Sequence, residues 1–280
     1  MNDFLIVVVT YNPKMELLKA NIIPRYYYLI IDNSEIPFNF GTLNSNKNIR
    51  IIFNNENLGM AKALNIGAEY ALLNGYKWII TMDQDSCLTQ NTINRMFDYI
   101  TNSKEKDGIA VLSPRHILQN GLKIKLQDES KEYSESINTM TSGNFVNLEI
   151  WKKVKRFNEK LFIDMVDMDY YCKCIVNGYK VIILNNVYMQ HKLGNLQRKK
   201  LLGKTFKVMN HDHIRKYYQF RNGFYVYFKY RKQVLEIKYV PKFLIGTLLT
   251  TILFEKQKTK KLWYIFKGVV DFFRKKFETI

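Results

Sequence analysis

Cysteine is scarce in this 280-residue chain: Cys87, Cys172 and Cys174 are an odd number without paired metal-ligand spacing. That argues against a disulfide framework, and the C-x-C at 172–174 alone is a weak metal signal. All three are expected as reduced thiols in a cytosolic protein. Long apolar runs are missing too. The longest in the tail, FLIGTLLTTILF (243–254), has 12 residues, against roughly 20 for a spanning helix, which predicts a buried or interfacial segment. The opening MNDFLIVVVTYNP has no basic stretch and enters a strand directly, so no signal peptide is expected. Acidic residues are short only toward one end. Residues 1–189 hold 21 Lys/Arg against 20 Asp/Glu, whereas residues 190–280 hold 22 against 5, a net of +17. A near-neutral body with a strongly basic tail predicts a tail that meets something anionic, either nucleic acid or a membrane surface.

What is present is ample apolar material for one large core, at 47% hydrophobic and 14% aromatic residues. FLIVVVTY (4–11) is a continuous apolar run, as expected of a parallel strand covered on both faces. YYLIIDNS (27–34), IRIIFNN (49–55) and KWIITMD (77–83) read as three further strands. Helical spacing lies between them, at 13–23 and 60–73, and again after the fourth strand at 92–101. Asn74-Gly75 supplies a helix stop. Strands alternating with helices predict a mostly parallel α/β sheet. Residues 115–140 read as hairpin or loop, and 157–184 as an acidic entry, an amphipathic helix and a last strand.

In such sheets ligands bind beyond the carboxyl ends of the strands. Polar clusters fall at those ends: Thr10-Tyr11-Asn12, Asp32-Asn33-Ser34, Asn54-Asn55 and Asp83-Gln84-Asp85. One cluster is ordinary turn chemistry; four in succession predict a single site. The D-x-D of Asp83 and Asp85 offers hard oxygen ligands suited to Mg²⁺ or Mn²⁺. A solvated acidic turn has the same sequence, so the pair alone leaves both readings open. Asp164 and Asp167, three residues apart, are expected on one helical face with Asp169 rotated away. Acidic residues there also suit capping and the dipole of a helix start.

VVTYNP (8–13), DNS (32–34), NLGMAKALNIG (57–67), WIITMDQDS (78–86), TSGN (141–144), FNEKLFIDMVDMDYYCK (157–173), HKLG (191–194) and YYQFRN (217–222) occur in this order. Together they resemble the inverting family 2 glycosyltransferases with a GT-A fold, within them the bacterial rhamnosyltransferase-like group. The resemblance covers residues 4 to about 223. It implies a Rossmann-like GT-A domain over 1–223 and leaves 224–280 as a basic, amphipathic helical extension, expected to associate with membrane. It places Thr10, Tyr11 and Asp32 in the nucleoside pocket and Asn57, Gly59 and Lys62 around the ribose and diphosphate. Asp83 and Asp85 would hold nucleotide and a Mg²⁺ or Mn²⁺ ion, with His191 completing that shell and Arg221 facing the phosphates. Thr10 equally suits a β-branched strand position, and Lys62 a solvated helix charge. Inverting transfer needs a base near the acceptor hydroxyl. Many relatives carry Glu-Asp where this chain has Val166-Asp167, so Asp167 is the expected base and Asp164 its support or an acceptor contact.

The implied activity moves a sugar, L-rhamnose from dTDP-rhamnose in the first instance, onto a lipid-linked saccharide. The setting would be bacterial surface polysaccharide synthesis, of capsule or O-antigen, by a cytoplasmic protein peripheral on the inner face of the membrane. A UDP-hexose donor, galactose or glucose, is the alternative within this class. A nucleic-acid-binding protein using the basic tail is a different class, disfavoured because the tail alternates bulky apolar runs with lysine. A sugar-nucleotide nucleotidyltransferase would want a glycine-rich loop after the first strand, and VVTYNPKMELL has no glycine.

Overall fold

The computed structural model describes residues 3–103, 108–118, 131–191, 197–201 and 203–280. The chain divides into two compact units, one of Met1–Glu159 with Tyr170–Lys192, the other of Lys160–Asp169 with Leu193–Ile280.

The first unit is built on strands β1 (Phe4–Thr10), β2 (Tyr28–Asp32), β3 (Ile49–Phe53), β4 (Trp78–Asp83), β5 (Ile109–Leu118), β6 (Tyr133–Glu135), β7 (Asn144–Asn147) and β8 (Lys180–His191). They form one sheet in the order β3-β2-β1-β4-β7-β5-β8-β6. Pairing is parallel from β3 to β4 and between β5 and β8; β7 and β6 run antiparallel to their neighbours. All seven residues of β1 are buried, which is why its sequence is apolar throughout rather than alternating. Each such Val, Leu or Ile taken out of water contributes about 1.5–3 kcal/mol. Register sets where the strands stop. Thr10 pairs with Asp32 and Val9 with Asp83, so β1, β2 and β4 end nearly flush.

Helices α1 (Met15–Asn21), α2 (Gly59–Leu73), α3 (Gln90–Asn102) and α4 (Leu148–Lys153) also belong to this unit. Gly59 opens α2 at φ 78°, a left-handed conformation that glycine adopts without Cβ strain. Inside α2 the buried Asn65 amide is saturated. It donates to the Phe157 carbonyl (3.0 Å) and Glu159 (2.8 Å) and accepts from the Phe157 N–H (3.0 Å) and the Trp151 indole (3.2 Å). The stretch expected as loop or hairpin, 115–140, contains instead the end of β5 and all of β6, with 119–130 outside the described residues. Cys172 and Cys174 are buried and Cys87 exposed, and all three are free thiols.

Helix α5 (Val166–Val176) takes its first turn from the second unit and the rest from the first. The second unit continues with the hairpin β9 (Gln197–Leu201) and β10 (Lys204–Val208), then α6 (His213–Tyr230), α7 (Tyr239–Phe254) and α8 (Lys258–Phe273). Residue 223, the expected end of the first domain, lies inside α6. Asp212 caps that helix by accepting the Arg215 N–H at 2.7 Å. Gly268 of α8 lies so close to α6 that a Cβ there would meet the Tyr217 carbonyl oxygen at 2.5 Å.

Candidate active site

The flush strand ends turn four separate sequence clusters into one hydrogen-bonded network. Thr10 donates its hydroxyl to Asp32 at 2.9 Å. Asp32, fully buried, also accepts from the Ser34 hydroxyl (2.7 Å) and from the backbone N–H groups of Ser34 (3.3 Å) and Phe38 (3.1 Å). Those donors enclose its carboxylate, so Asp32 holds the ends of β1 and β2 together. The Asn12 N–H donates to the Ser34 hydroxyl (2.8 Å), and the Tyr11 N–H to the Gln84 side-chain oxygen (2.8 Å). Asn54 donates to Asn33 (2.8 Å), and Asn33 donates to the Gly59 carbonyl (3.1 Å). Asn57 accepts the Gly59 N–H at 3.1 Å and so shapes the entrance to α2. Asn12 and Asn55 have φ of 44° and 56°, backbone strain of the kind that collects at functional sites. Tyr11 is 43% exposed. Burial of its ring hydroxyl and then the charge of Glu35, to which it donates at 3.3 Å, push its pKa up. Lys62 is exposed in the first turn of α2.

Asp83 and Asp85 stand half-exposed where β4 ends. The Asp83 N–H donates to the Ser142 hydroxyl at 3.0 Å, and the Ser142 carbonyl is in turn 2.7 Å from Nε2 of the buried His116. A backbone bridge joins Cys87 to Gln190, which brings the residue before His191 beside the acidic turn. The His191 backbone closes β8; its side chain, with the rest of HKLG, lies outside the described residues. Among the described residues no three His, Cys, Asp or Glu side chains cluster as a metal cage. Two oxygen donors at a wet strand end nevertheless fit a cation that draws its remaining ligands from water and phosphate.

The second unit holds the other acidic cluster, and here the expected helical face is corrected. Helix α5 begins only at Val166, and Phe162, Asp164 and Met165 have φ of 48°, 60° and 63°. Asp164 therefore precedes the helix and does not share a face with Asp167. Its carboxylate instead takes the Arg215 guanidinium, through Nε at 3.2 and 3.4 Å and Nη2 at 3.3 Å. Asn222 ties the strained loop down by donating its amide to the carbonyls of Leu161 (2.6 Å), Ile163 (2.8 Å) and Asp164 (3.0 Å). Asp167 is half-exposed in the first turn of α5 and accepts the Met168 N–H at 2.8 Å. Asp169 is fully buried and accepts from Lys229 and the Tyr230 hydroxyl, both at 2.9 Å.

Arg221 is fully buried rather than open to a phosphate. Its guanidinium donates to Asn222 Oδ1 (3.0 Å) and to the carbonyls of Lys160 (2.9 Å) and Glu278 (2.9 Å), and lies over the rings of Tyr217, Tyr218 and Phe277. That makes it a structural partner of the 160–165 loop. His211, a residue without an expected role, is held neutral. Burial first, then the charge of Arg215, lowers its pKa from 6.5 to about 4. Ser34 and Gln84 belong to the strand-end clusters already expected to form one site, whereas sequence reasoning missed His116, Ser142 and Asn222. Ser142 and Asn222 lie within the family-like motifs, so membership of a motif was the available signal.

Glycosyl transferase family 2 matches residues 6–182 of the chain. The chain is 30% identical to the dTDP-rhamnosyl transferase RfbF of Shigella flexneri over 268 residues, covering 91% of this chain and 89% of that protein. It is 28% identical to an uncharacterized glycosyltransferase of Methanocaldococcus jannaschii over 159 residues, 53% of each. Among solved structures, S. aureus TarS 1–349 in complex with UDP has a TM-score of 0.60 at 14% identity, covering 96% of this chain and 79% of that one. GalNAc-T7 with UDP, GalNAc and Mn²⁺ has a TM-score of 0.55 at 15% identity, covering 71% of this chain and 44% of that one. At those identities the structures speak for the fold alone, and they agree with the GT-A arrangement of a mostly parallel sheet flanked by helices. By the extent of the family match and of the Shigella relative, this chain belongs to glycosyl transferase family 2.

Proposed function

We propose that the protein transfers L-rhamnose from dTDP-rhamnose, with inversion, to a lipid-linked saccharide at the cytoplasmic face of a bacterial membrane during surface polysaccharide synthesis. The observation that carries the donor is the 30% identity to a dTDP-rhamnosyl transferase along 91% of the chain. Thr10 and Tyr11, at the end of β1, and Asn57, Gly59 and Lys62, at the entrance to α2, receive the nucleoside and diphosphate. Asp32 holds the base of that pocket in shape. Asp83 and Asp85, with His191, are the residues to hold a divalent cation, whose charge would offset that of the diphosphate. Asp167 takes the proton of the acceptor hydroxyl. Asp164, neutralised by Arg215, positions the loop leading to that residue.

The test is calorimetric titration of the purified chain with dTDP and with UDP, each with and without Mn²⁺, followed by transfer assays with dTDP-rhamnose. Metal-dependent binding that prefers dTDP supports the reading. A preference for UDP moves the donor to a UDP-hexose, and binding of neither nucleotide by folded protein removes the proposal.

A further inference from the structure

Helices α7 and α8 pack on α6 and on each other, yet each keeps an uncovered apolar face. On α7, Tyr239, Phe243, Ile245, Leu249, Ile252 and Leu253 are exposed, while Leu244 and Thr251 are buried. On α8, Trp263, Phe266 and Phe273 are 61%, 59% and 65% exposed. Exposed rings and aliphatics in that number mark a surface meant to meet something apolar. Exposed lysines accompany them, Lys242 on α7 and Lys256, Lys258 and Lys260 around the start of α8. Residues 224–280 carry 13 Lys/Arg against 4 Asp/Glu.

We propose that these faces of α7 and α8 dock the chain onto an anionic lipid bilayer, the helices lying along the headgroup region with their exposed apolar side chains inserted. Charge decides the occupant. Two copies of so basic a surface would repel each other, whereas anionic headgroups attract every exposed lysine. The packing decides the depth. Leu235–Phe254 is apolar and long enough to cross a membrane by composition. A crossing, however, would strip Leu244 from its seat beside Gly223 of α6 and carry Lys242 toward the hydrocarbon. Lying at the interface preserves the first and leaves the second among the headgroups. Docking of this kind gives a physical basis to the lipid-linked acceptor reading, but vesicles without donor or acceptor test it separately.

The chain carries its own reporter. Trp78 and Trp151 are 6% and 0% exposed, so a change in tryptophan emission on adding vesicles reports Trp263. The full chain is mixed with phosphatidylglycerol–phosphatidylethanolamine vesicles or with neutral phosphatidylcholine vesicles, and followed by co-sedimentation and emission. The expected result is binding and a blue shift on the anionic vesicles only, weakened at least about tenfold by 0.5 M salt. Trp263→Ser/Phe266→Ser and, independently, Lys256→Glu/Lys258→Glu/Lys260→Glu should each lose binding, with circular dichroism and dTDP affinity unchanged. Failure of the folded chain to bind anionic vesicles would overturn the proposal, as would equal binding to neutral ones. So would a blue shift that follows protein concentration without lipid and accompanies a doubling of mass, since the face would then belong to a second copy. A chain that binds vesicles but no nucleotide would refute the donor reading and leave this one standing.

Discussion

Asp167 and Asp164 differ by three positions and by everything that decides their chemistry. Asp164 faces a guanidinium with three contacts at 3.2–3.4 Å, so its charge is already neutralised. Asp167 is half-exposed in the first turn of α5. Replacing Asp167 with Asn should lower kcat by about 10²–10⁴-fold while calorimetry finds dTDP affinity nearly unchanged; a parallel loss of both would show that the residue binds donor instead. Asp85→Ala should weaken Mn²⁺-dependent nucleotide binding by about tenfold or more while metal-free binding holds. Full retention would make the acidic turn only a turn. Both candidates were legible in the sequence as carboxylates at expected element boundaries. The pairing of Asp164 with Arg215 was not, because Arg215 lies 51 positions away.

Elements explain why the loop before α5 can hold left-handed backbone at Phe162, Asp164 and Met165. Such conformations persist only where the surroundings over-determine them, and here one amide of α6 binds three carbonyls of that loop. Asn222→Ala leaves those carbonyls without that donor and should cost about 1–3 kcal/mol in denaturant unfolding, with kcat falling more than KM rises. An unchanged kcat in a destabilised protein would confine Asn222 to a structural role. The contact of α8 with α6 is tight at Gly268, where an added methyl meets backbone rather than a yielding side chain. Gly268→Ala should lower stability by about 1–3 kcal/mol, read as a reduced unfolding midpoint; wild-type stability would mean the helices can part. Strands and helices of the first 110 residues were readable because continuous apolar runs and a 3.6-residue periodicity are local signals. The end of β5 and the short β6 were not, since their polar sequences become strand only by pairing with β8.

At the scale of the molecule, titration and charge set the working conditions. His211 has a folded pKa of about 4, below its ordinary 6.5, so the unfolded chain binds the extra proton first. Its contribution is intact above about pH 6.5, declines as pH falls and is gone near pH 4. Thermal unfolding of His211→Asn between pH 4 and 7 should therefore show a shallower acid-side decline than wild type, and superimposable slopes would count against a neutral imidazole in the folded chain. Burial would raise the Glu255 carboxyl, but Lys216 at 2.8 Å and Lys261 at 2.6 Å outweigh it and hold the pKa below the usual range. Burial in turn lowers the pKa of Lys216, against the pull of Glu255. The sequence by itself determined the α/β alternation, the family and the concentration of positive charge toward residue 280. These follow from local periodicity, ordered motifs and composition, none of which needs a partner. Tertiary structure alone decided that β1, β2 and β4 end flush, so that four polar clusters become one network. It also decided that Arg221 is a buried brace and that α7 and α8 keep apolar faces uncovered. Register and burial depend on which distant segments meet, and a linear pattern does not contain that.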